Sequence, residues 1–528
     1  MRDFQLPGRS AAYGAQGMAA TSHPEATRTA LAVLEGGGNA VDAAVAASAL
    51  LGVVEPAMTG FGGDLFCLVG EAGGEVTALA SAGWAPEGAS VDACRALGIE
   101  EIAQGSPHAV TVPGYVAGIE ALLGRHGSRT LDELLRPAIR AAEEGFVVTP
   151  RVACDWATAE AHLNANAAAR AAYLPGGRAP REGERHELPA LARTLRRIAG
   201  LGGRDVYAGG IAEAMLETLR GLGGVHTAAD FADFRPRWET PIRGRFRGFE
   251  IVECPPPGQG VVALLMMQVL DALDLDGLDP SGAERYHLEA EATRIAFALR
   301  DRHLADPDHA ALPLARILSP AFAAECAGMI DPGRAAAKVD PPLLAPHPDT
   351  VYLTVVDRDR TVCSFICSLF DGFGSGLACP ETGILFHSRG KAFRLDPGHP
   401  NTLVPRKRPM HTIIPGLALK DGEPSIGFGV MGAHYQPVGQ AHVLTNMLVY
   451  GMDPQAALDH PRAMGYPDGL QVERGVRPGV VEALAGMGHA VRPADGPLGG
   501  GQVIRIDRAN GVLVGGTDPR KDGVALGH

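Results

Sequence analysis

One stretch of the sequence predicts a β-hairpin and fixes where its strands begin and end. Pro346 and Pro348 hold the backbone extended and out of helix just before it. Residues 351–356 (VYLTVV) are a β-branched and aromatic run, typical of a buried strand. Residues 357–360 (DRDR) form a polar turn, and residues 361–369 (TVCSFICSL) are a second strand. The two strands should pair in antiparallel fashion across the turn.

The register of this hairpin brings two hydroxyl groups together. Antiparallel pairing places Thr350, at the start of the first strand, opposite Cys367 or Ser368 on the second. A hydroxyl at the first residue of one strand then faces a second hydroxyl on its neighbour, which is one place where chemistry at Thr350 could occur. An ordinary hairpin that carries threonine and serine gives the same pattern, so this stretch alone does not separate the two interpretations.

Length and charge limit the classes of protein to which the chain can belong. A chain of 528 residues with 46% apolar content can bury one large core or two closely packed ones. Its net charge of −13, spread along the chain, argues against partners such as nucleic acid or an anionic membrane. The sequence begins without the apolar core of a signal peptide, and no later stretch approaches the ~18 apolar residues of a membrane span. We therefore expect a soluble, cytoplasmic protein with reduced cysteines.

The two halves of the sequence differ in their predicted secondary structure. Residues 39–54 predict a helix that is apolar nearly all round and therefore buried. Helical patterns continue up to residue 349, whereas short strands with glycine turns follow from residue 350. Residues 305–349 are proline-rich and weakly periodic, which predicts a linker or an exposed loop.

Residues 427–432 (GFGVMG) fit the pattern GxGxxG and allow two interpretations. A nicotinamide- or flavin-binding oxidoreductase would need a strand opening with an acidic residue after the helix that follows. Residues 452–464 predict a second helix there instead, so this alternative depends on the hexamer alone. The other interpretation is an oxyanion hole, in which Gly432 and Ala433 present consecutive backbone N–H groups at the start of a helix. Chemistry at Thr350 would need such donors.

A set of longer motifs extends over nearly the whole chain. They are GGGNAVDAAVAASALLGVVEPAMTGFGGDLFCLV (36–69), TVPGYVAG (111–118), CPPPGQG (254–260), DTVYLTVVD (349–357), FGSG (373–376), KRPMHTIIP (407–415), GVMGA (429–433) and GGTDPRKDG (515–523). With these motifs in this order, the chain resembles the γ-glutamyltranspeptidase family of N-terminal-nucleophile hydrolases. The resemblance favours the catalytic interpretation of Thr350 over the ordinary hairpin.

The resemblance implies a fold and a maturation step. The fold is α+β, a four-layer αββα sandwich of the N-terminal-nucleophile hydrolase type. The precursor would cleave itself between Asp349 and Thr350 into a helix-rich large subunit, 1–349, and a small subunit, 350–528, that begins with the nucleophile. The two subunits would stay associated in one intertwined domain, and a homo-oligomer of such heterodimers is compatible with the family. No cofactor is implied.

The resemblance also assigns the residues that would catalyse the reaction. Thr350 is the nucleophile, and its new α-amino group, with a pKa of about 7.7–8.0, supplies a general base on the same residue. Ser368 matches the hydroxyl that hydrogen-bonds this nucleophile. Gly432 and Ala433 match the pair of oxyanion-hole glycines, with alanine in the second position.

The sequence departs from the family where the family recognises the amino acid of its substrate. Ala82, Phe370 and Ala392 stand where the family has an arginine, an asparagine and an aspartate. His411 and Thr412 replace a pair of serines. A substrate ammonium in this pocket would lose its charge partners, which costs several kcal/mol in a closed site. We therefore expect that glutathione is not the main substrate.

These departures resemble a divergent branch of the family that includes oxamate amidohydrolase and cephalosporin acylases. A small anionic acyl group could be held by Arg389, His411 and Thr412, although a surface ion pair, a satisfied buried imidazole and a strand residue are the ordinary alternatives. We expect hydrolysis of a small carboxylate-bearing amide such as oxamate, with a γ-glutamyl or glutaryl amide as the alternative substrate. No metal is expected, because the isolated histidines lack ligand spacing: His387, His399 and His434.

Overall fold

The computed structural model describes residues 5, 8–336, 350–466 and 468–528. The helices are α1 (Pro24–Glu35), α2 (Ala40–Val54), α3 (Val91–Ala96), α4 (Tyr115–His126), α5 (Leu131–Glu144), α6 (Pro150–Thr158), α7 (Glu160–Asn164), α8 (Ala167–Tyr173), α9 (Pro189–Leu201), α10 (Gly203–Ala208), α11 (Gly210–Gly221), α12 (Ala228–Ala232), α13 (Gly260–Ala272), α14 (Ala283–His303), α15 (Leu314–Ile317), α16 (Pro320–Ala327), α17 (Gln436–Leu448), α18 (Pro454–Asp459) and α19 (Pro478–Gly486). Among the described residues, no helix has both the length and the apolar character needed to cross a bilayer.

Most strands belong to two antiparallel sheets. The strands are β1 (Ala12–Gly14), β2 (Met18–Thr21), β3 (Asp64–Gly70), β4 (Val76–Ser81), β5 (Phe146–Val147), β6 (Arg185–His186), β7 (Arg237–Glu239), β8 (Ile242–Phe246), β9 (Phe249–Glu253), β10 (Val351–Val356), β11 (Val362–Ser368), β12 (Gly416–Lys420), β13 (Glu423–Met431), β14 (Ala463–Tyr466), β15 (Gly469–Val472), β16 (Val491–Pro493), β17 (Gly500–Asp507), β18 (Val512–Thr517) and β19 (Val524–Gly527). The first sheet has the order β1-β18-β17-β13-β12-β9-β8, and the second has the order β19-β2-β10-β11-β3-β4-β7.

The two sheets lie face to face between layers of helices. Their inner faces share one apolar core, to which both sheets contribute side chains such as Phe66, Ile366, Leu417 and Ile504. A second core lies between the outer face of the β10 sheet and helices that include α2 and α5. A third lies between the outer face of the β13 sheet and helices that include α13 and α17. This is the expected four-layer αββα sandwich, so the predicted fold class is confirmed.

The alanine-rich helix predicted at residues 39–54 is α2, and all of its residues are buried. Asn39 caps it, because its side chain accepts hydrogen bonds from the backbone N–H groups of Val41 and Asp42. The small alanine side chains let α2 fit closely between α1, α5 and the strands beneath. An apolar surface on every side thus predicts a helix that is covered on every side.

The centre of the molecule is the contact between β10 and β13, which face each other across the two sheets. A Cβ atom built on Gly427 would lie 2.3 Å from Thr354 Oγ1, and one on Gly429 would lie 2.4 Å from the Tyr352 ring. These glycines therefore serve close packing of the sheets within a strand rather than a phosphate-binding loop. Moving two residues along β13, from Gly427 to Gly429, moves the contact two residues back along β10, from Thr354 to Tyr352. The turn that follows β13 consequently lies level with Thr350.

The described part of the predicted linker or exposed loop at 305–349, residues 305–336, differs from that prediction. Helices α15 and α16 lie within it, and Ile317 and Cys326 are buried in the third core. Pro320 starts α16 instead of preventing it, because a proline at the first helical position needs no N–H partner. Ser319 caps α16 by accepting a hydrogen bond from Phe322 N at 3.2 Å.

Candidate active site

Thr350 lies directly before β10, and its side chain is fully buried. Strands β10 and β11 pair with Val351 opposite Cys367, so Thr350 stands opposite Ser368. The Thr350 hydroxyl donates a hydrogen bond to Ser368 Oγ at 3.2 Å. The hydroxyl pair expected from the hairpin register is therefore present.

Ser368 is held in place from its other side. The backbone N–H of Phe370 donates a hydrogen bond to Ser368 Oγ at 2.8 Å. Phe370 adopts a positive φ of 82°, a conformation that a non-glycine residue keeps only when its surroundings enforce it. This turn after β11 fixes the Ser368 oxygen and, through it, the direction of the Thr350 hydroxyl.

Gly432 and Ala433 form a tight turn between the end of β13 and the start of α17. Both have positive φ, 120° for Gly432 and 46° for Ala433. A Cβ atom on Gly432 would lie 2.8 Å from the Cα of Gly499, so the close approach of two backbones requires glycine there. Ala433 tolerates the left-handed conformation at some cost. The turn precedes α17 and lies level with Thr350, which is where an oxyanion hole for chemistry at Thr350 would be needed.

Gln259 ties this turn to the segment that contains His411 and Thr412. Its Nε2 donates hydrogen bonds to the carbonyl oxygens of Thr412 and Ala433, each at 2.8 Å. Its backbone N–H donates to the carbonyl of His411 at 3.0 Å, and its Oε1 accepts from Arg300 at 3.1 Å. Gln259 belongs to the CPPPGQG motif but was not among the predicted site residues.

Arg389 is fully buried beside this network, so the alternative of a surface ion pair is wrong. Its Nη1 donates to Thr412 Oγ1 at 3.3 Å, and its guanidinium lies 4.6 Å from the centre of the Phe370 ring. Its Nε donates to Asp64 Oδ2 at 3.3 Å, whereas Nη2 has no hydrogen-bond partner within the described part of the chain. Burial lowers the pKa of Arg389 to about 10, with Asp64 acting in the opposite direction.

Asp64 is a buried carboxylate that sequence reasoning missed. Its Oδ2 accepts from Arg389 and from His411 Nε2 at 3.3 Å, and its Oδ1 accepts from the backbone N–H groups of Gly114 and Gly83. Burial and the neighbouring arginines lower the pKa of His411 well below its usual value, so the imidazole is neutral. Asp64 and Arg389 thus form a buried ion pair, in which Nη2 of Arg389 makes no hydrogen bond to the described part of the chain.

The predicted residues form one connected set, with the exception of Asp349, which lies outside the described residues. Contacts run from Thr350 through Ser368 and Phe370 to Arg389, then to Thr412, and through Gln259 to Ala433. The departures from the family also take ordinary structural positions. Ala82 packs in the core between the sheets, and the carbonyl of Ala392 accepts a hydrogen bond from Asn401 at 2.6 Å.

Facing antiparallel sheets, outer helices and a hydroxyl residue at the start of an inner strand define the class: this is an N-terminal-nucleophile hydrolase. A family model described as Gamma-glutamyltranspeptidase matches residues 26–528. The chain belongs to the γ-glutamyltranspeptidase family, and it is an amidohydrolase that acts on C–N amide bonds.

Three relatives place the chain within this family. The glutathione hydrolase-like YwrD proenzyme of Bacillus subtilis is 35% identical over 525 residues, with 97% of this chain and 99% of that protein covered. The oxamate amidohydrolase proenzyme of Klebsiella pneumoniae is 36% identical over 530 residues, with 97% and 98% covered. The crystal structure of a cephalosporin acylase from Bacillus halodurans aligns with a TM-score of 0.93 and 36% identity, with 100% of this chain and 99% of that chain covered.

Proposed function

We propose that this protein is a self-cleaving amidohydrolase that hydrolyses a small carboxylate-bearing amide, with oxamate as the leading candidate, through an acyl-Thr350 intermediate. Cleavage between Asp349 and Thr350 would produce the subunits 1–349 and 350–528. The observation that carries the proposal is the buried hydroxyl pair of Thr350 and Ser368, level with the turn at Gly432. The names of both curated relatives describe proenzymes.

The proposed reaction uses groups that belong to this chain. During maturation, Thr350 Oγ1 attacks the carbonyl carbon of residue 349, and the C–N bond between residues 349 and 350 breaks, which frees the α-amino group of Thr350. Water then hydrolyses the resulting ester and separates the two chains. In turnover this amine accepts the hydroxyl proton while Oγ1 attacks the substrate carbonyl, and it returns the proton to the leaving amine. Backbone N–H groups at Gly432 and Ala433 would stabilise the oxyanion. Water then hydrolyses the acyl ester and regenerates Thr350.

Recognition of a short acyl group would depend on Arg389. Its guanidinium contacts the ring of Phe370, whose backbone N–H donates to Ser368, so one residue links the cation to the hydroxyl pair. Oxamate carries its carboxylate directly on the carbonyl that is attacked, so its recognition would need a cation beside the hydroxyl pair. The unpaired Nη2 would donate to the carboxylate, because a charged hydrogen bond satisfies a buried donor.

A glutaryl or γ-glutamyl amide is the second candidate, since the cephalosporin acylase structure matches the whole chain with a TM-score of 0.93. The two donors differ by one ammonium group. This chain has Phe370 and Ala392 where the family has the asparagine and aspartate that bind that group. We therefore expect a glutaryl amide to equal or exceed its γ-glutamyl counterpart in kcat/KM.

The test is a comparison of oxamate, glutaryl anilide and γ-glutamyl anilide with the cleaved enzyme. A donor without an α-amino group should have the highest kcat/KM. If kcat/KM for γ-glutamyl anilide is at least about a hundredfold higher than for either donor without an α-amino group, a difference of ~2.7 kcal/mol, the proposed substrate class is wrong.

A further inference from the structure

Three potential metal ligands meet at a buried point away from Thr350. His287 and Glu291 lie one turn apart on the same face of α14, and His489 lies between α19 and β16. All three residues are buried, and their ligand atoms lie within 4.8 Å of one another. His287 and His489 are 202 residues apart in the chain, so no sequence spacing reveals this trio.

The hydrogen bonds fix the tautomers of both imidazoles. His287 Nε2 donates to the carbonyl of Asp331 at 2.7 Å, which leaves His287 Nδ1 as an acceptor. His489 Nε2 then donates to this Nδ1 at 2.8 Å. His489 Nδ1 has no hydrogen-bond partner within the described ranges, although the residue is only 4% exposed. His489 Nδ1 can therefore carry the ring hydrogen if Nε2 binds another group.

We propose that His287 Nδ1, His489 Nε2 and the Glu291 carboxylate bind a divalent transition metal, for which Zn²⁺ is the best match. Two imidazoles and one carboxylate suit Zn²⁺ better than Mg²⁺ or Ca²⁺, and three protein ligands leave a fourth position for water. The hydrogen on His489 Nε2 moves to Nδ1, so no imidazole proton is lost. Tetrahedral ligation needs the two nitrogens about 3.3 Å apart, a small opening of their 2.8 Å contact.

The surroundings of the trio support a coordination site. The Asp331 carbonyl orients His287 in the way that a backbone carbonyl commonly orients a metal-binding histidine. Glu291 accepts one hydrogen bond from Ala336 N at 3.1 Å and one from Arg294 at 3.0 Å, which leaves further lone pairs on its oxygens. This site departs from the expectation, drawn from sequence spacing, that the protein has no metal.

A metal at this point would join the two proposed subunits. His287 and Glu291 belong to residues 1–349, whereas His489 belongs to residues 350–528. This consequence depends on the proposed cleavage before Thr350, but the binding of the metal itself does not. Zn²⁺ should therefore raise the urea concentration at which the two chains separate.

The test is titration of the chelator-treated protein with ZnCl₂, monitored with a chromophoric chelator and by thermal unfolding. We expect one Zn²⁺ per chain pair and a higher Tm. The variants His287→Gln and His489→Gln keep a hydrogen-bonding side chain, and each should bind Zn²⁺ at least about tenfold more weakly. His303→Ala is the matched control, because His303 is exposed at the end of the same helix, and its affinity should be unchanged.

The uncleaved variant Thr350→Ala separates this proposal from the proposed function. It should bind Zn²⁺ with the affinity of the cleaved enzyme, whatever its activity. Absence of Zn²⁺ binding in both proteins, or binding that both glutamine variants retain unchanged, would overturn the site and leave the assignment of the nucleophile untouched.

Discussion

Replacement of Arg389 by methionine tests how the site recognises its substrate. Arg389→Met keeps an unbranched side chain but removes the guanidinium that contacts Phe370 and Thr412. It also leaves the buried Asp64 carboxylate without its cation. Removing one partner of a buried pair typically lowers the free energy of unfolding by about 3–5 kcal/mol. We expect the lower end, because His411 and backbone N–H groups still donate to Asp64.

The effect on activity should depend on the charge of the substrate. A carboxylate-bearing donor loses a charged hydrogen bond worth about 1.5–3 kcal/mol, which corresponds to a roughly 10- to 150-fold decrease in kcat/KM. A neutral amide makes no such bond with Arg389, so its kcat/KM should change by less than about threefold. The assay is the ratio of kcat/KM for oxamate and for a neutral amide of similar size, measured where the variant is fully folded.

A second buried arginine provides the control. Arg285 is also fully buried and donates to Glu289 at 2.8 Å. Its other hydrogen bonds run to His442, His460 and the carbonyl of Pro280. Arg285→Met should therefore lower stability without changing the ratio of kcat/KM between the two donors. Equal losses for charged and neutral donors in Arg389→Met would refute the role of Arg389 in binding the carboxylate.

Two further predictions concern the partner hydroxyl and a buried acid. Ser368→Ala should slow both chain cleavage and turnover by roughly 2- to 12-fold, because Thr350 loses one neutral hydrogen bond worth about 0.5–1.5 kcal/mol. The bond from the Phe370 N–H is also lost, which lowers stability without unfolding the protein. A gel time course and circular dichroism would check this, and an unfolded variant or unchanged rates would contradict it. Burial raises the pKa of Glu55 to about 7, and Ser22 donates a hydrogen bond to it. The folded state then binds the proton more tightly than the unfolded state, so stability should fall by about 3 kcal/mol as pH rises from the unfolded pKa through 7. Urea unfolding at pH 5 and pH 8, roughly two units below and one unit above the folded pKa, measures the free energy of unfolding on either side of the transition. Glu55→Gln should lack the decrease between these pH values, and an identical pH dependence in both proteins would contradict the assignment to Glu55.

The hairpin was the part of the fold that local sequence could predict. The β-branched run 351–356 and the polar turn after it define both strands, and the register was correct to within one residue. The alternation of polar and apolar residues left Cys367 and Ser368 as equal candidates. The register of β10 against β11, with Val351 opposite Cys367, settles that Ser368 faces Thr350.

Asp64 and Gln259 were missed because their partners are distant in the chain. Asp64 meets Arg389 across 325 residues, and Gln259 meets Ala433 across 174. A signal existed for Asp64, since a carboxylate at the first position of a strand that is otherwise apolar needs a buried cation. The burial of Arg389 itself depends on how the sheets and loops pack, and local sequence does not determine that.

The most direct test of the account is the chain composition of the purified protein. Mass spectrometry and N-terminal sequencing should find two chains, the smaller beginning at Thr350, whereas Thr350→Ala should remain one chain without amidase activity. A single full-length wild-type chain with full amidase activity would contradict the proposal that Thr350 is freed to act as the nucleophile.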